Sequence, residues 1–164
     1  MHTVALTKGV PDFREGQVSF DEDGHLERGK TPTVMNPNDK LALEAALQTR
    51  VRHGGEVSLM SMGPPGYKDV LREGMETVYA DWWYLLSDKE FAAADTWATA
   101  ITLATALSKM GPPDLIVAGF KSADGETGHT GPQTCWSLEV PMITHVIALD
   151  INPGAGTLRA KRLV

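Results

Sequence analysis

The stretch that decides the fold reads Leu115-Ile-Val-Ala-Gly-Phe-Lys-Ser-Ala-Asp-Gly-Glu-Thr-Gly-His-Thr-Gly-Pro-Gln133. Its first four residues form an apolar run that is typical of a buried parallel strand. Residues 119–133 then contain four glycines and lead into residues 134–138, which can be helical. Glycine lets a backbone approach a ligand closely, and the N–H groups at a helix start favour an anion such as phosphate. The stretch predicts a strand-to-helix turn that either binds a ligand or merely connects two elements.

Length and composition indicate a globular domain. The 164 residues suit one domain with a core, and 42% of them are hydrophobic, which argues against disorder. The net charge is −6 and the 15 basic residues are scattered, so nucleic acid is not expected as a partner. A single cysteine leaves no internal disulfide and fits a reducing compartment. Because the sequence has neither a signal peptide nor an apolar run long enough for a membrane span, we expect a cytoplasmic protein.

Apolar runs alternate with helical patterns along the chain. Strands are predicted at residues 3–7, 56–62, 82–86, 115–119, 141–149 and 157–164, with a small hairpin at 18–26. Helices are predicted from Asn36-Pro37 to Gly54-Gly55, at residues 67–77, and at 96–110 after Asp95 as cap. The alternation predicts a doubly wound α/β fold, with a mostly parallel sheet and helices on both faces. Ligands bind such sheets at the carboxyl ends of the strands, here the turns at 7–12, 61–66, 87–95 and 119–131.

Several familiar catalytic motifs are absent. The sequence has no Gly-x-Gly-x-x-Gly after its first strand, no phosphate-binding Gly-x-x-x-x-Gly-Lys-Ser/Thr and no Gly-x-Ser-x-Gly. Its five histidines do not form a zinc-spaced cluster with the cysteine. We therefore predict no catalytic residue and no metal site. A nucleotide site without catalytic groups of its own suggests a cofactor carrier or a sensor.

Individual side chains near the glycine-rich stretch have both a structural and a functional interpretation. Asp124 and Glu126 are predicted to bond backbone N–H groups of the turn rather than to hold a metal. Cys135 is predicted to be a small core residue, and Trp82-Trp83 to pack in the core rather than to stack on a ligand ring. Among the histidines, His129 is the one predicted to contact a ligand.

Several segments, in order and spacing, resemble the β subunit of electron-transfer flavoprotein over essentially the whole chain. The matching segments are Lys8 with Val10-Pro11, Met35-Asn36-Pro37, Met60-Ser-Met-Gly-Pro64, Asp95-Thr-Trp-Ala-Thr99, Asp114-Leu-Ile-Val117 and Ala123-Asp-Gly-Glu-Thr-Gly-His-Thr-Gly-Pro-Gln133. The resemblance implies an adenine-nucleotide-binding α/β domain, shared in outline with universal stress proteins. It also implies a heterodimer with an α subunit that carries most contacts to a shuttling FAD, and an electron exchange with an acyl-CoA-type dehydrogenase or a quinone reductase.

The resemblance further implies a second nucleotide within the β subunit. That nucleotide is a structural AMP in simple carriers and an FAD in the electron-bifurcating group, where it takes a hydride from NADH. The segments Asp124-Gly-Glu-Thr127, Gly131-Pro-Gln133 and Asp95-Thr96 with Ala98-Thr99 resemble the bifurcating group. FAD is therefore the expected cofactor and AMP the alternative.

Carried over residue by residue, the resemblance implies thirteen cofactor-binding positions in five groups. Leu6 and Lys8 would border the adenine or ribose, and Asn36 and Met62 would contact the adenosine end. Gly128, His129, Thr130 and Gly131 would hold phosphate, with Asp124 and Thr127 lining the rest of the pocket. Asp95, Thr96 and Thr99 would approach the ribityl and flavin portion. His129 departs from the glutamine that is usual in the family.

Length is the main departure from the family. Residues 1–164 are expected to form a single nucleotide-binding domain that lacks the C-terminal part of the family's subunit. Two alternatives to a bifurcating β subunit stay open: a simple carrier with a structural AMP, and a non-redox nucleotide sensor of universal-stress-protein type.

Overall fold

The structure is a computed structural model that describes residues 1–13 and 32–164. The hairpin predicted at residues 18–26 lies outside the described residues. The described strands are β1 (His2–Leu6), β2 (Gly9–Pro11), β3 (Thr33–Met35), β4 (Glu56–Met62), β5 (Trp82–Leu86), β6 (Leu115–Ala118), β7 (Val146–Asn152) and β8 (Thr157–Arg162). The α-helices are α1 (Pro37–His53), α2 (Tyr67–Val78), α3 (Thr96–Met110) and α4 (Thr130–Ser137).

The central sheet has four parallel strands in the order β5-β4-β1-β6. The chain moves outward from β1 to β4 and β5, and then returns to place β6 on the other side of β1. The strand order therefore reverses between β1 and β6, where Leu6 pairs with Ala118. Doubly wound sheets bind ligands outside the carboxyl ends of the strands at such a point.

Helices cover both faces of this sheet. On one face Ala5 and Leu59 pack with residues of α1 and α2, among them Leu43 and Leu71. On the other face Leu6 and neighbouring strand residues pack with Leu103 and Leu107 of α3. Burying a leucine side chain contributes roughly 1.5–3 kcal/mol, so these two clusters carry much of the stability. The predicted doubly wound α/β fold is confirmed.

The helix boundaries follow their capping residues. α1 begins at Pro37 after Asn36 and ends before Gly54, which has φ +68°. α3 begins after Asp95, whose carboxylate accepts a hydrogen bond from the N–H of Ala98 at 2.8 Å. α4 begins at Thr130, earlier than predicted. Pro132 fits its first turn, because N–H groups there have no intrahelical acceptor and a proline therefore loses no hydrogen bond. No helix in residues 1–13 and 32–164 combines the length and hydropathy needed to cross a bilayer.

Two parts of the sequence prediction were wrong. Residues 141–149 do not form a fifth strand of the central sheet, because β7 begins only at Val146 and pairs antiparallel with β8 in a separate sheet. Pro141 lacks an N–H, and His145 has φ +55°, so the backbone cannot run extended through this segment. Trp82 and Trp83 do not pack in the core: they are 58% and 41% exposed, because β5 is the edge strand.

A small sheet after β1 was not predicted. β2 pairs antiparallel with β3, with Gly9 opposite Met35. This pairing carries Asn36 to the end of β1, where the N–H of Asn36 donates to the carbonyl of Lys8 at 2.9 Å. The start of α1 is thereby placed at the carboxyl edge of the central sheet.

Candidate functional site

Two segments meet where the strand order reverses: the β1 turn (residues 7–9) and the glycine loop (residues 119–129). An ion pair joins them directly. The Lys8 Nζ donates to Asp124 Oδ1 at 2.7 Å and to Oδ2 at 2.8 Å. Two positions that are 116 residues apart in the chain, and that were both predicted for the cofactor site, are therefore in contact.

The first turn of α1 holds the glycine loop through side-chain amides. Asn36 Nδ2 donates to the Lys121 carbonyl at 3.0 Å, and Asn36 Oδ1 accepts from the N–H of Ala123 at 3.1 Å. Asn38 Nδ2 donates to the same Lys121 carbonyl at 2.9 Å. Asn36 is only 1% exposed, and its amide is engaged within the protein. Its direct contact with a ligand stays a prediction, while its support of the loop is observed.

Asp39, in the same turn, contacts both segments. Its Oδ1 accepts from Asn36 Nδ2 at 2.8 Å, and its Oδ2 accepts from the backbone N–H of Lys8 at 2.8 Å. The backbone of Gly119 lies against this carboxylate. A side chain at Gly119 has no room, because a Cβ there would lie 2.3 Å from Asp39 Oδ1 and 2.8 Å from the carbonyl carbon of Asn38. Only glycine allows this close approach of the loop to α1.

Sequence reasoning missed Asp39 and Asn38. The available signal was the run Asn36-Pro37-Asn38-Asp39, which places three polar side chains in one helix turn beside a predicted ligand edge. Asp39 is 5% exposed. Burial raises the pKa of Asp39 to about 7, although hydrogen bonds from Asn36 and from the Lys8 N–H act in the opposite direction.

The pKa of Asp124, in contrast to that of Asp39, is lowered. Partial burial alone would raise the pKa of Asp124, but the hydrogen bond and the charge of Lys8 outweigh it and hold the pKa below its usual range. Its Oδ1 also accepts from the N–H of Gly125 at 2.8 Å, as predicted for a turn-stabilising aspartate. Glu126 instead accepts from Lys121 Nζ at 2.8 Å.

The lowered pKa of Asp124 leads to a stability prediction. Because its folded pKa lies below the unfolded one, the carboxylate stabilises the fold above about pH 4, and this contribution disappears as pH falls through the folded pKa. We expect Asp124→Asn to lower the free energy of unfolding by about 1 kcal/mol at neutral pH, since Lys8 is partly exposed, and by less at about pH 3. Urea unfolding at both pH values measures this.

Glu126→Gln is the matched control, because it removes the exposed partner of Lys121 from the same loop. It is expected to change stability by under about 0.5 kcal/mol at either pH. A loss for Asp124→Asn that does not shrink in acid would contradict the role of the ion pair.

The start of α4 carries the predicted phosphate-binding residues. Gly128 has φ +65°, a conformation that glycine adopts without strain, and a Cβ there would lie 3.0 Å from the Phe120 carbonyl. His129 is exposed at the cap position, and its backbone N lies 3.4 Å from the Thr127 hydroxyl. The His129 side chain makes no capping hydrogen bond to the start of α4, and the positive end of the helix dipole lies at this start, directly after the glycine loop.

The other predicted positions lie at the same edge without joining this cluster. Leu6 is buried in the core, and Met62 is half-buried at the end of β4. Asp95 and Thr99 bond within the first turn of α3, where the Thr99 hydroxyl donates to the Asp95 carbonyl at 2.7 Å. In the described residues no hydrogen bond or ion pair links these positions, or Thr96, to the glycine loop. Cys135 is half-buried on α4, and burial raises the pKa of its thiol.

The fold and the site together define a class of protein. A doubly wound parallel sheet with polar and glycine-rich segments gathered at its strand-order reversal is the arrangement of α/β domains that bind nucleotides and similar ligands. The family model described as Electron transfer flavoprotein domain matches residues 23–164. The chain belongs to this family, so the resemblance found in the sequence is confirmed.

Curated relatives match most of the chain. The "Caffeyl-CoA reductase-Etf complex subunit CarD" of Acetobacterium woodii is 41% identical over 153 residues, which cover 93% of this chain and 58% of that protein. The "Electron transfer flavoprotein subunit beta" of Thermoanaerobacterium thermosaccharolyticum is 38% identical over 152 residues, covering 93% and 57%. The "Acryloyl-CoA reductase electron transfer subunit gamma" of Anaerotignum propionicum is 34% identical over 166 residues, covering 100% and 58%. The chain thus spans a little over half the length of these relatives.

Proposed function

We propose that this chain is the β subunit of a heterodimeric electron-transfer flavoprotein in the cytoplasm. It binds an adenine nucleotide at the carboxyl edge of its sheet, and electrons pass from NADH or a dehydrogenase through the FAD of an α subunit. The observation that carries the proposal is the direct contact of Lys8 with Asp124 and of Asn36 with Ala123. Three separated segments that resemble the family's cofactor site meet at the reversal point of a sheet that suits such a ligand.

Phosphate is the part of the ligand that the site suits best. The start of α4 presents backbone N–H groups and the positive end of a helix dipole, with Gly128 and Gly131 leaving space beside the backbone. The Lys8 ammonium, 38% exposed and paired with Asp124, lies at the same edge and can donate a further hydrogen bond. These groups bind and orient a nucleotide, and none of them carries out a redox step.

We further propose that the nucleotide is FAD. The first turn of α3 packs against α4, with the ring centroids of Trp97 and Trp136 5.5 Å apart. FAD is longer than AMP, and its longer end is the part that would reach this turn from the glycine loop. When bound, FAD would supply the redox chemistry, while Asp95, Thr96 and Thr99 would line its far end. Two of the relatives above are named for CoA-ester reductases, which supports an acyl-CoA-type redox partner.

Counting released nucleotides tests the proposal. The protein would be purified together with its co-expressed α subunit and denatured, and the FAD and AMP per heterodimer would be measured by chromatography. Two FAD and no AMP are expected. One FAD with one AMP would instead support the simple carrier with a structural nucleotide, and a complex without any second nucleotide would contradict the site itself.

The substitution Gly131→Ala can be tested by the same count of released nucleotide. It is expected to weaken nucleotide binding without lowering stability. A Cβ at Gly131 would meet only the Ala118 Cβ at 3.5 Å, an ordinary contact, and alanine is the better helix former. We expect unchanged or slightly higher stability, by up to about 1 kcal/mol, together with a lower nucleotide content because the methyl group blocks close approach to the backbone.

Gly66→Ala at the start of α2 is the control, since a Cβ there meets nothing within 4 Å. It should leave the nucleotide content unchanged. If Gly131→Ala also retains a full complement of nucleotide, its backbone does not approach the phosphate.

A further inference from the structure

One buried carboxylate connects the segments of the candidate site. Asp39 accepts hydrogen bonds from the Lys8 N–H and from Asn36 Nδ2, and its Oδ1 lies so close to Gly119 that a Cβ there would be only 2.3 Å away. Lys8 is the second residue after β1, and Gly119 is the first residue after β6. The carboxylate thus lies between the two strand ends at which the sheet order reverses: it bonds to the segment after β1 and contacts the residue after β6.

A purely structural role explains this arrangement poorly. In the described residues Asp39 forms no ion pair, because Lys8 Nζ is engaged by Asp124, and the nearby charge of Lys8 only partly offsets the effect of burial on the pKa of Asp39. Burying a carboxylate without a cation costs free energy. A neutral side chain could pack in the first turn of α1 without this cost. Only an ionised carboxylate accepts on both of its oxygens, here from Asn36 Nδ2 on Oδ1 and from the Lys8 N–H on Oδ2, whereas a side-chain amide would present a donor to one of these groups.

Protonation would disturb this arrangement. A protonated carboxyl must direct its O–H away from the Lys8 N–H and from Asn36 Nδ2, since donors cannot bond to each other. Because burial raises the pKa of Asp39 to about 7, both forms are present near neutral pH. The charged groups of the surrounding segments are already paired, Lys8 with Asp124 and Lys121 with Glu126, and Lys40 of the same helix turn pairs with Glu73.

We infer that Asp39 is a positioning residue of the nucleotide site, whose ionised carboxylate sets the spacing between the β1 turn and the glycine loop and thereby controls nucleotide affinity. The inference rests on the proposed function, since it concerns the same site. It makes affinity depend on pH: the ionised form binds the nucleotide tightly, and the protonated form binds it weakly.

The test has two measurements on the intact protein, purified with any subunit that accompanies it and freed of bound nucleotide. In the first, the amide resonances of ¹⁵N-labelled Lys8 and Gly119 are followed from about pH 6 to about pH 8. Both are expected to titrate with a midpoint near 7 in the wild-type protein and to stay constant in Asp39→Asn.

In the second measurement, FAD is titrated by calorimetry at both pH values. FAD is the probe because its pyrophosphate bridge keeps its charge throughout this range. Wild-type affinity is expected to rise about tenfold with pH, the effect of one charge-assisted hydrogen bond. Asp39→Asn is expected to bind with the weak, low-pH affinity at both pH values.

Asp69→Asn is the matched control, because Asp69 occupies the same first-turn position of α2 but is exposed. It should keep the wild-type pH profile. If Asp39→Asn binds FAD with the wild-type profile, the role of Asp39 is refuted. If that variant does not fold, a wild-type protein whose Lys8 and Gly119 amides do not titrate refutes it equally. Failure of the wild-type protein to bind either FAD or AMP overturns the proposed function, and the positioning role with it.

Discussion

Gly119→Ala is expected to lower the free energy of unfolding by about 3 kcal/mol. The added methyl group would lie 2.3 Å from Asp39 Oδ1 and 2.8 Å from the Asn38 carbonyl carbon, so the start of α1 and the end of β6 must move apart. Overpacking alone costs about 1–3 kcal/mol, and the displaced carboxylate loses hydrogen bonds in addition. Urea unfolding followed by circular dichroism measures the loss, and released nucleotide measures the effect on the site.

Gly125→Ala, in the same loop, is the control for this substitution. A Cβ at Gly125 meets only the Ser122 hydroxyl at 3.6 Å, so the change is expected to stay within about 0.5 kcal/mol. Equal stabilities of the two variants would show that the contact between Gly119 and α1 is not needed for the fold.

Asn36→Ala is expected to destabilise the protein by a similar amount, about 3 kcal/mol. The substitution removes three hydrogen bonds and leaves the Ala123 N–H and the Oδ1 atom of Asp39 without their hydrogen-bond partner, which costs the desolvation of each group. The loss does not come from helix capping, because the Asn36 side chain makes no capping bond to α1. The nucleotide content should fall together with the stability.

Asn38→Ala is the control for Asn36→Ala, because it removes a different side-chain amide from the same helix turn. Asn38 donates a single bond to the Lys121 carbonyl, an acceptor that Asn36 also serves. We expect a loss of about 1 kcal/mol or less. If the two alanine variants are equally stable, the glycine loop does not depend on the buried amide.

The class of fold was predictable because its signals are local. Each signal involves residues that are close in the sequence: the periodic apolar residues, the Asn36-Pro37 start and the Asp95 cap. The structure confirms them. The exposure of Trp82 and Trp83 was not predictable in the same way. It depends on β5 being the outermost strand, a property of long-range pairing that no window of sequence contains. The same limit applies to β7, whose partner is β8 rather than the central sheet.

The site was predicted in part, for a related reason. Lys8, Asn36 and Asp124 stood in recognisable motifs, and the structure brings them together. Asp39 belongs to no such motif. Its importance to the site comes from contacts with Lys8 and Gly119, which are 31 and 80 positions away in the sequence. A polar residue in the first turn of a helix normally indicates an exposed surface or a cap, so only the folded chain distinguishes Asp39 from Asp69.

The position of β1 in the middle of the sheet has a consequence for how the chain folds. β1 pairs with β4 through residues about fifty positions away, but with β6 only across a separation of more than one hundred, where the His2 N–H also donates to Asp114 at 2.7 Å. Closing the longer loop costs more chain entropy, and contacts of high sequence separation form slowly. We therefore expect β1, β4 and their helices to assemble first and β6 to dock last. The edge that carries the proposed nucleotide site is completed only in that final step, so a nucleotide bound there would slow unfolding by opposing the release of β6.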